Sequence, residues 1–346
     1  MADNSSIARH IKVRPEWLAL HREDIIDPGL PIVDAHHHIL DRPGNRYLPD
    51  DLLQDLGTGH NIRATVYVQS SGMRYRQDGD PAFAPVGEVA FARDVAVASL
   101  ARTGGVPHVC AAIVGFADLA LGEGVRPVLE AMVDEGGGRF RGIRDSLTWD
   151  DLGQLNAPGS ESRQGRMGNE SFRQGLACLA SFGISFDAWV YHTQLDELAE
   201  LARIRPETQF VLNHMGGVLH IGPYAGRREE MFAQWSAAMG RLAQCPNVVV
   251  KLGGIGMNYG GFGFDLNPQP PSSQMLCDAW HPYIETCIDT FGTDRCMFES
   301  NFHVDKGTCS YPVVWNAFKR MVQAASTDEK RDLFSATASR VYRIGE

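Results

Sequence analysis

Five consecutive residues, Asp34-Ala35-His36-His37-His38, close an apolar run that begins at Ile32. Side chains alternate along a strand, so His36 and His38 fall on one face and His37 on the other. Two imidazoles on one face at the end of a strand are placed to share a metal ion. The same cluster can instead be a polar knot in a core, with Asp34 as hydrogen-bond partner, but three adjacent histidines in an apolar strand are costly without a function. His192 ends the run 186–192 at the parity of Ala188 and Val190, and His214 ends the run 209–214 at the parity of Leu212. Singly each reads as a hydrogen-bonded core histidine. Together with the His36/His38 pair they read as one site.

Lys251 ends Val248-Val249-Val250. It contacts a substrate anion or pairs with a buried carboxylate such as Glu299; the pairing is the stronger expectation, because an unpaired buried charge is expensive. Gly253, Gly254 and Gly256 do not form a dinucleotide fingerprint and read as room for a loop.

These residues need elements to hold them. Strand-like runs lie at 32–38, 64–69, 109–116, 142–145, 186–192, 209–214, 247–252 and 296–300. Most are too apolar to alternate, as parallel strands buried on both faces are. Helical patterns fall between them, at 86–102, 125–135, 171–182, 194–204, 229–244, 274–291 and 311–325, with one more at 328–342 closing the bottom or side. Eight alternations predict a (β/α)8 TIM barrel as a single domain over 31–346, preceded by an N-terminal extension over 1–30. Long loops follow strands 2, 4 and 7, at 70–87, 146–170 and 253–273, and crowd the end where barrels build their sites. The third, with Tyr259, Phe262, Phe264 and the Pro-rich stretch 267–271, is expected to form a semi-rigid aromatic lid or else a surface packing loop.

The 346 residues are 44% hydrophobic and 21% charged, an ordinary globular composition with a sizeable core. A net charge of −10 opposes binding to nucleic acid or anionic lipid. No apolar stretch resembles a signal peptide or reaches the roughly 20 residues of a membrane span. Seven scattered cysteines without a CxxC pair suit reduced thiols and a cytoplasmic protein.

The barrel pattern, the His-x-His of strand 1, the histidines after strands 5 and 6, and Met297-Phe298-Glu299-Ser300-Asn301-Phe302 on strand 8 resemble the amidohydrolase superfamily. Within it the chain resembles the amidohydrolase-related family of lactonases and decarboxylases, over nearly everything from Pro31 onward. The resemblance implies that His36, His38 and His192 hold a divalent metal, zinc before manganese or iron, although certain lactonases of the family work without one. It implies that His214 assists water or substrate and that Arg144 grips a substrate carboxylate or carbonyl oxygen, a task suited to a guanidinium fork. Against that, Arg144 can simply pair with Asp145.

Many relatives carry an aspartate after strand 8 as ligand and base, where this chain has Asn301. An asparagine cannot accept the proton. The base must come from His214, Glu299, His303 or Asp305. Tyr259, His303 and Lys251 are further candidates for contacting substrate. The resulting expectation is a hydrolase of a small carboxylated lactone or ester, working as a homo-oligomer. Its rivals are a metal-dependent non-oxidative decarboxylase, an Fe(II)-dependent oxygenase on the same barrel, and a binding protein that has lost its base.

Overall fold

Short runs rich in Val, Ile, Ala and Phe pair side by side because each buries both faces. In the computed structural model, which describes residues 10–156 and 160–345, they are β1 Pro31–His37, β2 Asn61–Val68, β3 His108–Gly115, β4 Phe140–Ser146, β5 Ser185–Trp189, β6 Phe210–Leu212, β7 Val248–Leu252 and β8 Cys296–Phe298. All are parallel and follow one another in chain order. The segment after β8 closes the ring. His37 bridges Phe302, the His38 N–H donates to the Phe302 carbonyl at 2.7 Å, and the Asn301 N–H donates to the His36 carbonyl at 3.0 Å.

Outside the sheet lie α1 Pro49–Leu56, α2 Val86–Thr103, α3 Arg126–Glu135, α4 Glu170–Phe182, α5 Leu195–Ile204, α6 Arg228–Leu242, α7 Ser273–Phe291 and α8 Tyr311–Met321. This is the (β/α)8 barrel expected from the alternation. The sequence reading missed a hairpin, Leu40–Arg42 with Asn45–Tyr47, and α1, both between β1 and β2. No helix of the described residues is long and apolar enough to cross a membrane.

Two apolar layers sit on either side of the sheet. Ile32, Ile113, Phe186, Ala188, Phe210, Leu212, Val250 and Phe298 face the helices. Val33, Ala35, Val66, Val114, Val211, Val249 and Met297 fill the barrel interior, together with Ala338 and Tyr342 of the C-terminal helix, which plugs the lower end. Alternation by two then carries the interior line upward from apolar to polar: Val211 to Asn213, Val249 to Lys251, Met297 to Glu299.

On β1 the register with β2 slips between Asp34 and His37, which pair with Thr65 and Tyr67. Three residues of β1 therefore oppose two of β2, a bulge that switches the inward parity. Ala35 faces in, Asp34 faces out to bond Ser300 and Tyr311, and His36 nevertheless turns in toward His38. His37 turns out, its Nε2 2.8 Å from Thr65 Oγ1.

Two strands stop short of the histidines expected to end them. β5 stops at Trp189, and His192 opens a short 3-10 turn, His192–Gln194. β6 stops at Leu212.

Candidate active site

The polar end of the barrel opens into a cavity of about 210 Å³. Its buried floor is His38, Arg144, His214 and Asn301; its more exposed rim includes His10, Arg42, Asn45 and Arg163. That is room for a small molecule, below the ~300–1,000 Å³ of drug-sized pockets. No carboxylate lines it among the described residues, whereas three arginines and four histidines do.

Arg144 and Asp187 pair across β4 and β5, both pointing inward. Asp145, the next residue, faces the other side and binds Arg166 at 3.1 Å, so the Arg144–Asp145 pair does not form. Arg144 instead donates Nε–H to Asn213 Oδ1 at 3.4 Å and has no ion pair among the described residues. Burial lowers its pKa to about 10, against the pull of Asp187, Asp145 and Glu299.

His214 reaches the cavity by an unexpected route. Its strand parity is that of Leu212, which faces the helices, but left-handed backbone at His214 (φ 55°) and Met215 (φ 54°) turns the ring inward. Such φ values are uncommon outside glycine and concentrate at functional sites. Glu299 holds the turn: its Oε1 lies 2.6 Å from His214 Nδ1 and accepts the His214 backbone N–H at 3.2 Å. Trp189 stands edge-on to the ring at 4.7 Å. Behind it Gly254 (φ +66°) leaves space that a Cβ would fill, 2.3 Å from His214 Nδ1.

His36 Nε2 and His38 Nε2 are 3.0 Å apart. His38 gives its Nδ1–H to the Val68 carbonyl at 2.9 Å, which leaves a lone pair on Nε2. His36 Nδ1 lies 3.0 Å from Glu299 Oε2, off the hydrogen-bonding direction, and 3.4 Å from Lys251 Nζ. Burial first, then the cations Lys251 and Arg144, holds His36, His38 and His214 well below the usual imidazole range, while burial lifts Glu299 to about 8. Neutral imidazoles anchored from behind by a carbonyl and a carboxylate are a donor set that fits a divalent transition metal. Two bonds of about 2.1 Å span the His36–His38 separation. His36, His214 and Glu299 also each offer a ligand atom, all within 4.8 Å of one another.

The other expected residues are placed differently. His192 follows a parity that faces the helices; its Nδ1 accepts the Leu219 N–H at 3.3 Å and its ring meets Tyr224 under the loop after β6. It is not in the cavity wall. Lys251 is fully buried beneath the floor and binds Asp187 at 2.9 Å rather than Glu299; Tyr342, Asn213 and Ser185 also donate to that carboxylate. Tyr259 lies behind Trp189, donating to the Gly254 carbonyl at 2.9 Å. Phe262 and Phe264 pack on Trp280 of α7, so the loop after β7 is a packing loop that gives only Met257 to the cavity. His303 lines the wall, held by Asn45 at 2.8 Å.

Asn301, also left-handed (φ 52°), donates its amide to Asp305 Oδ1 at 2.9 Å. The orientation leaves Oδ1 buried with no partner among the described residues. Asp305, lifted to about 8 by burial, is screened from the cavity by Asn301, as Glu299 is by His214. The sequence reading missed His10, Arg42, Arg163 and Trp189. The Asp41-Arg42-Pro43-Gly44 turn and the inward parity of Asp187 and Trp189 were the available signals for Arg42 and Trp189.

An eight-stranded parallel barrel with a His-x-His pair and a third imidazole at its C-terminal mouth is the architecture of a barrel enzyme with its site on that face. The chain belongs to the amidohydrolase family, whose model matches residues 33–344. It is 32% identical over 342 residues to an uncharacterised protein, y4mH, of Sinorhizobium fredii, covering 91% of this chain and 99% of that one. It is 26% identical to an L-fucono-1,5-lactonase of Burkholderia multivorans over 68% of this chain and 72% of that enzyme. Among solved structures, an amidohydrolase of Burkholderia multivorans with bound zinc superposes with a TM-score of 0.65 at 23% identity, covering 91% of this chain and 99% of that one.

Proposed function

We propose that this chain hydrolyses a small carboxylated lactone or ester. The observation that carries the proposal is the cavity's charge: Arg42, Arg144 and Arg163 line it, none pairs with a carboxylate among the described residues, and no acid shares the wall. The desolvation of the buried Arg144 guanidinium is offset when an anion enters, and Arg42 and Arg163 add positive charge at the rim. The likeness to L-fucono-1,5-lactonases supports lactone chemistry.

Arg144 binds the substrate carboxylate or the carbonyl oxygen and stabilises the charge that grows there. When Glu299, lifted to about 8, has ionised, His214 gives it the Nδ1–H and presents Nε2 as the base for an attacking water. The water oxygen bonds the carbonyl carbon, its proton passes to His214 Nε2, the ring C–O bond breaks, and the same proton leaves with the alkoxide. The product is the open hydroxy acid. Asn301 Oδ1, fixed by Asp305, accepts a hydrogen bond from a substrate hydroxyl or the water. His36 and His38 would hold a divalent metal, zinc foremost, with His214 and Glu299 in reach; bound there it supplies Lewis-acid polarisation of the carbonyl or a more acidic water.

A pH-stat assay over a lactone panel tests this. The proposal expects acid release from anionic lactones in preference to neutral ones of the same ring size. Faster hydrolysis of the neutral members would overturn the substrate class.

A further inference from the structure

Residues 10–30 contribute nothing to the sheet, yet their first part is bound to loops at the face where the cavity opens. Arg14 donates to the Asp265 carbonyl and lies 4.1 Å over the Trp17 ring, and Trp17 Nε1–H donates to the Asn267 carbonyl at 3.0 Å. Both acceptors belong to the loop after β7. Farther along, the Ile26 N–H donates to Asn316 Oδ1 at 2.9 Å, and Lys319 Nζ donates to the Ile26 and Asp27 carbonyls at 2.8 Å. Nearer the cavity the segment crosses the loop after β8. A Cβ on Gly307 would stand 2.4 Å from the Ile11 carbonyl oxygen and 2.7 Å from Ile11 Cβ, so glycine there lets the strap pass.

One residue before Ile11, His10 stands in the cavity wall. Arg42 and His303 are its charged and titratable neighbours, and it has no hydrogen-bond partner among the described residues. The cavity thus has a buried floor of His38, Arg144, His214 and Asn301 and an outer rim that includes Arg42, Asn45 and His10. A polar ring held at a rim by a tied segment, with no hydrogen-bond partner among the described residues, is placed to meet a ligand.

We infer that His10 is a specificity-determining residue. Carried by the strap, it bonds the end of the substrate farthest from the reacting carbonyl, so that the strap sets the length and polarity of the acids that fit. The inference rests on the cavity being the anionic-substrate site proposed above.

The test is calorimetric titration of the full-length protein with D-glucarate, a six-carbon acid with a carboxylate at each end. Wild type is compared with His10→Ala, His10→Gln, Arg14→Ala and Arg144→Met, with melting temperatures measured in parallel. His10→Ala is expected to weaken binding about tenfold, the worth of one hydrogen bond to a charged group. His10→Gln, which keeps a donor and an acceptor, should lose less than about threefold, and Arg14→Ala should reproduce part of the His10→Ala loss by loosening the strap. The melting temperature should not move for either His10 variant. Binding by His10→Ala equal to wild type, with Arg144→Met weakened, overturns the role of His10 and leaves the anionic site standing. An unchanged Arg14→Ala beside a weakened His10→Ala overturns the part played by the strap. No binding by wild type, or equal binding by wild type and Arg144→Met, overturns the anionic site and this inference together.

Discussion

Glu299 Oε1 stands 2.6 Å from His214 Nδ1 and 3.2 Å from the His214 backbone nitrogen, so one buried carboxylate fixes both the ring and the left-handed turn that carries it. Its other oxygen lies 3.0 Å from His36 Nδ1. The carboxylate that does not line the cavity therefore orients the His214 imidazole within it and stands close beside a second, His36. Replacing His214 with Asn removes the base while keeping a polar side chain. The expected cost is about 10²–10⁴ in kcat, the usual worth of general acid–base catalysis, with an unchanged circular dichroism spectrum. Full activity in that variant would show that His214 carries no proton.

Gly254 is the other support of that ring. Alanine there would place a Cβ 2.3 Å from His214 Nδ1 and 2.5 Å from Cγ, at a backbone φ of +66°. Gly254→Ala should cost about 1–3 kcal/mol of stability from the strained φ and a rate loss approaching that of His214→Asn. Thermal melts and steady-state kinetics on the same preparation check both, and an active, equally stable variant would mean that the ring does not need this position.

The eight strands, their order and the His36/His38 pair were legible because apolar runs and a strand-end histidine pair are local signals. The readings of His192 and His214 rested on one assumption. Period-two counting assumes that a strand continues, whereas β5 ends at Trp189 and β6 at Leu212. His192 kept its outward parity, and His214 escaped its own only through positive φ, which no sequence pattern announces for a histidine. The bulge that turns His36 inward is equally silent, and pairwise counting succeeded there because His36 and His38 both lie beyond it. His10 was out of reach, since a segment well before the first strand carries no sign of the surface it will cross.

Metal retention separates the ligand sets. His36→Ala with His38→Ala should lower bound zinc well below one equivalent per chain after dialysis against the metal, because two of its nitrogen donors are gone. His192→Ala should retain it, since that ring lies under the loop after β6. Elemental analysis decides, and zinc lost from His192→Ala but kept by the double variant would invert the assignment.

A test of the fold itself lies at Glu88, away from the imidazoles. Its carboxylate accepts from Tyr67 Oη at 2.6 Å and from the Ser70 N–H at 2.5 Å, and burial lifts its pKa from 4.5 to about 7. The folded chain thus keeps a proton that the unfolded chain loses first. The stability this contributes is complete below pH 4.5 and is lost as pH rises to about 7. Glu88→Gln, which has no proton to lose, should flatten that fall, worth about 2–3 kcal/mol between pH 5 and 8. Urea unfolding at the two pH values measures it, and parallel behaviour of variant and wild type would place the titration elsewhere.

The most direct test of the central claim is simultaneous measurement of acid and carbon dioxide released from an anionic lactone such as D-glucaro-1,4-lactone. Hydrolysis of the ring C–O bond by His214 and Arg144 predicts about one equivalent of acid per lactone consumed, no carbon dioxide, and loss of the signal in both His214→Asn and Arg144→Met. Carbon dioxide released in step with substrate loss, or acid released at the wild-type rate by both variants, would contradict it.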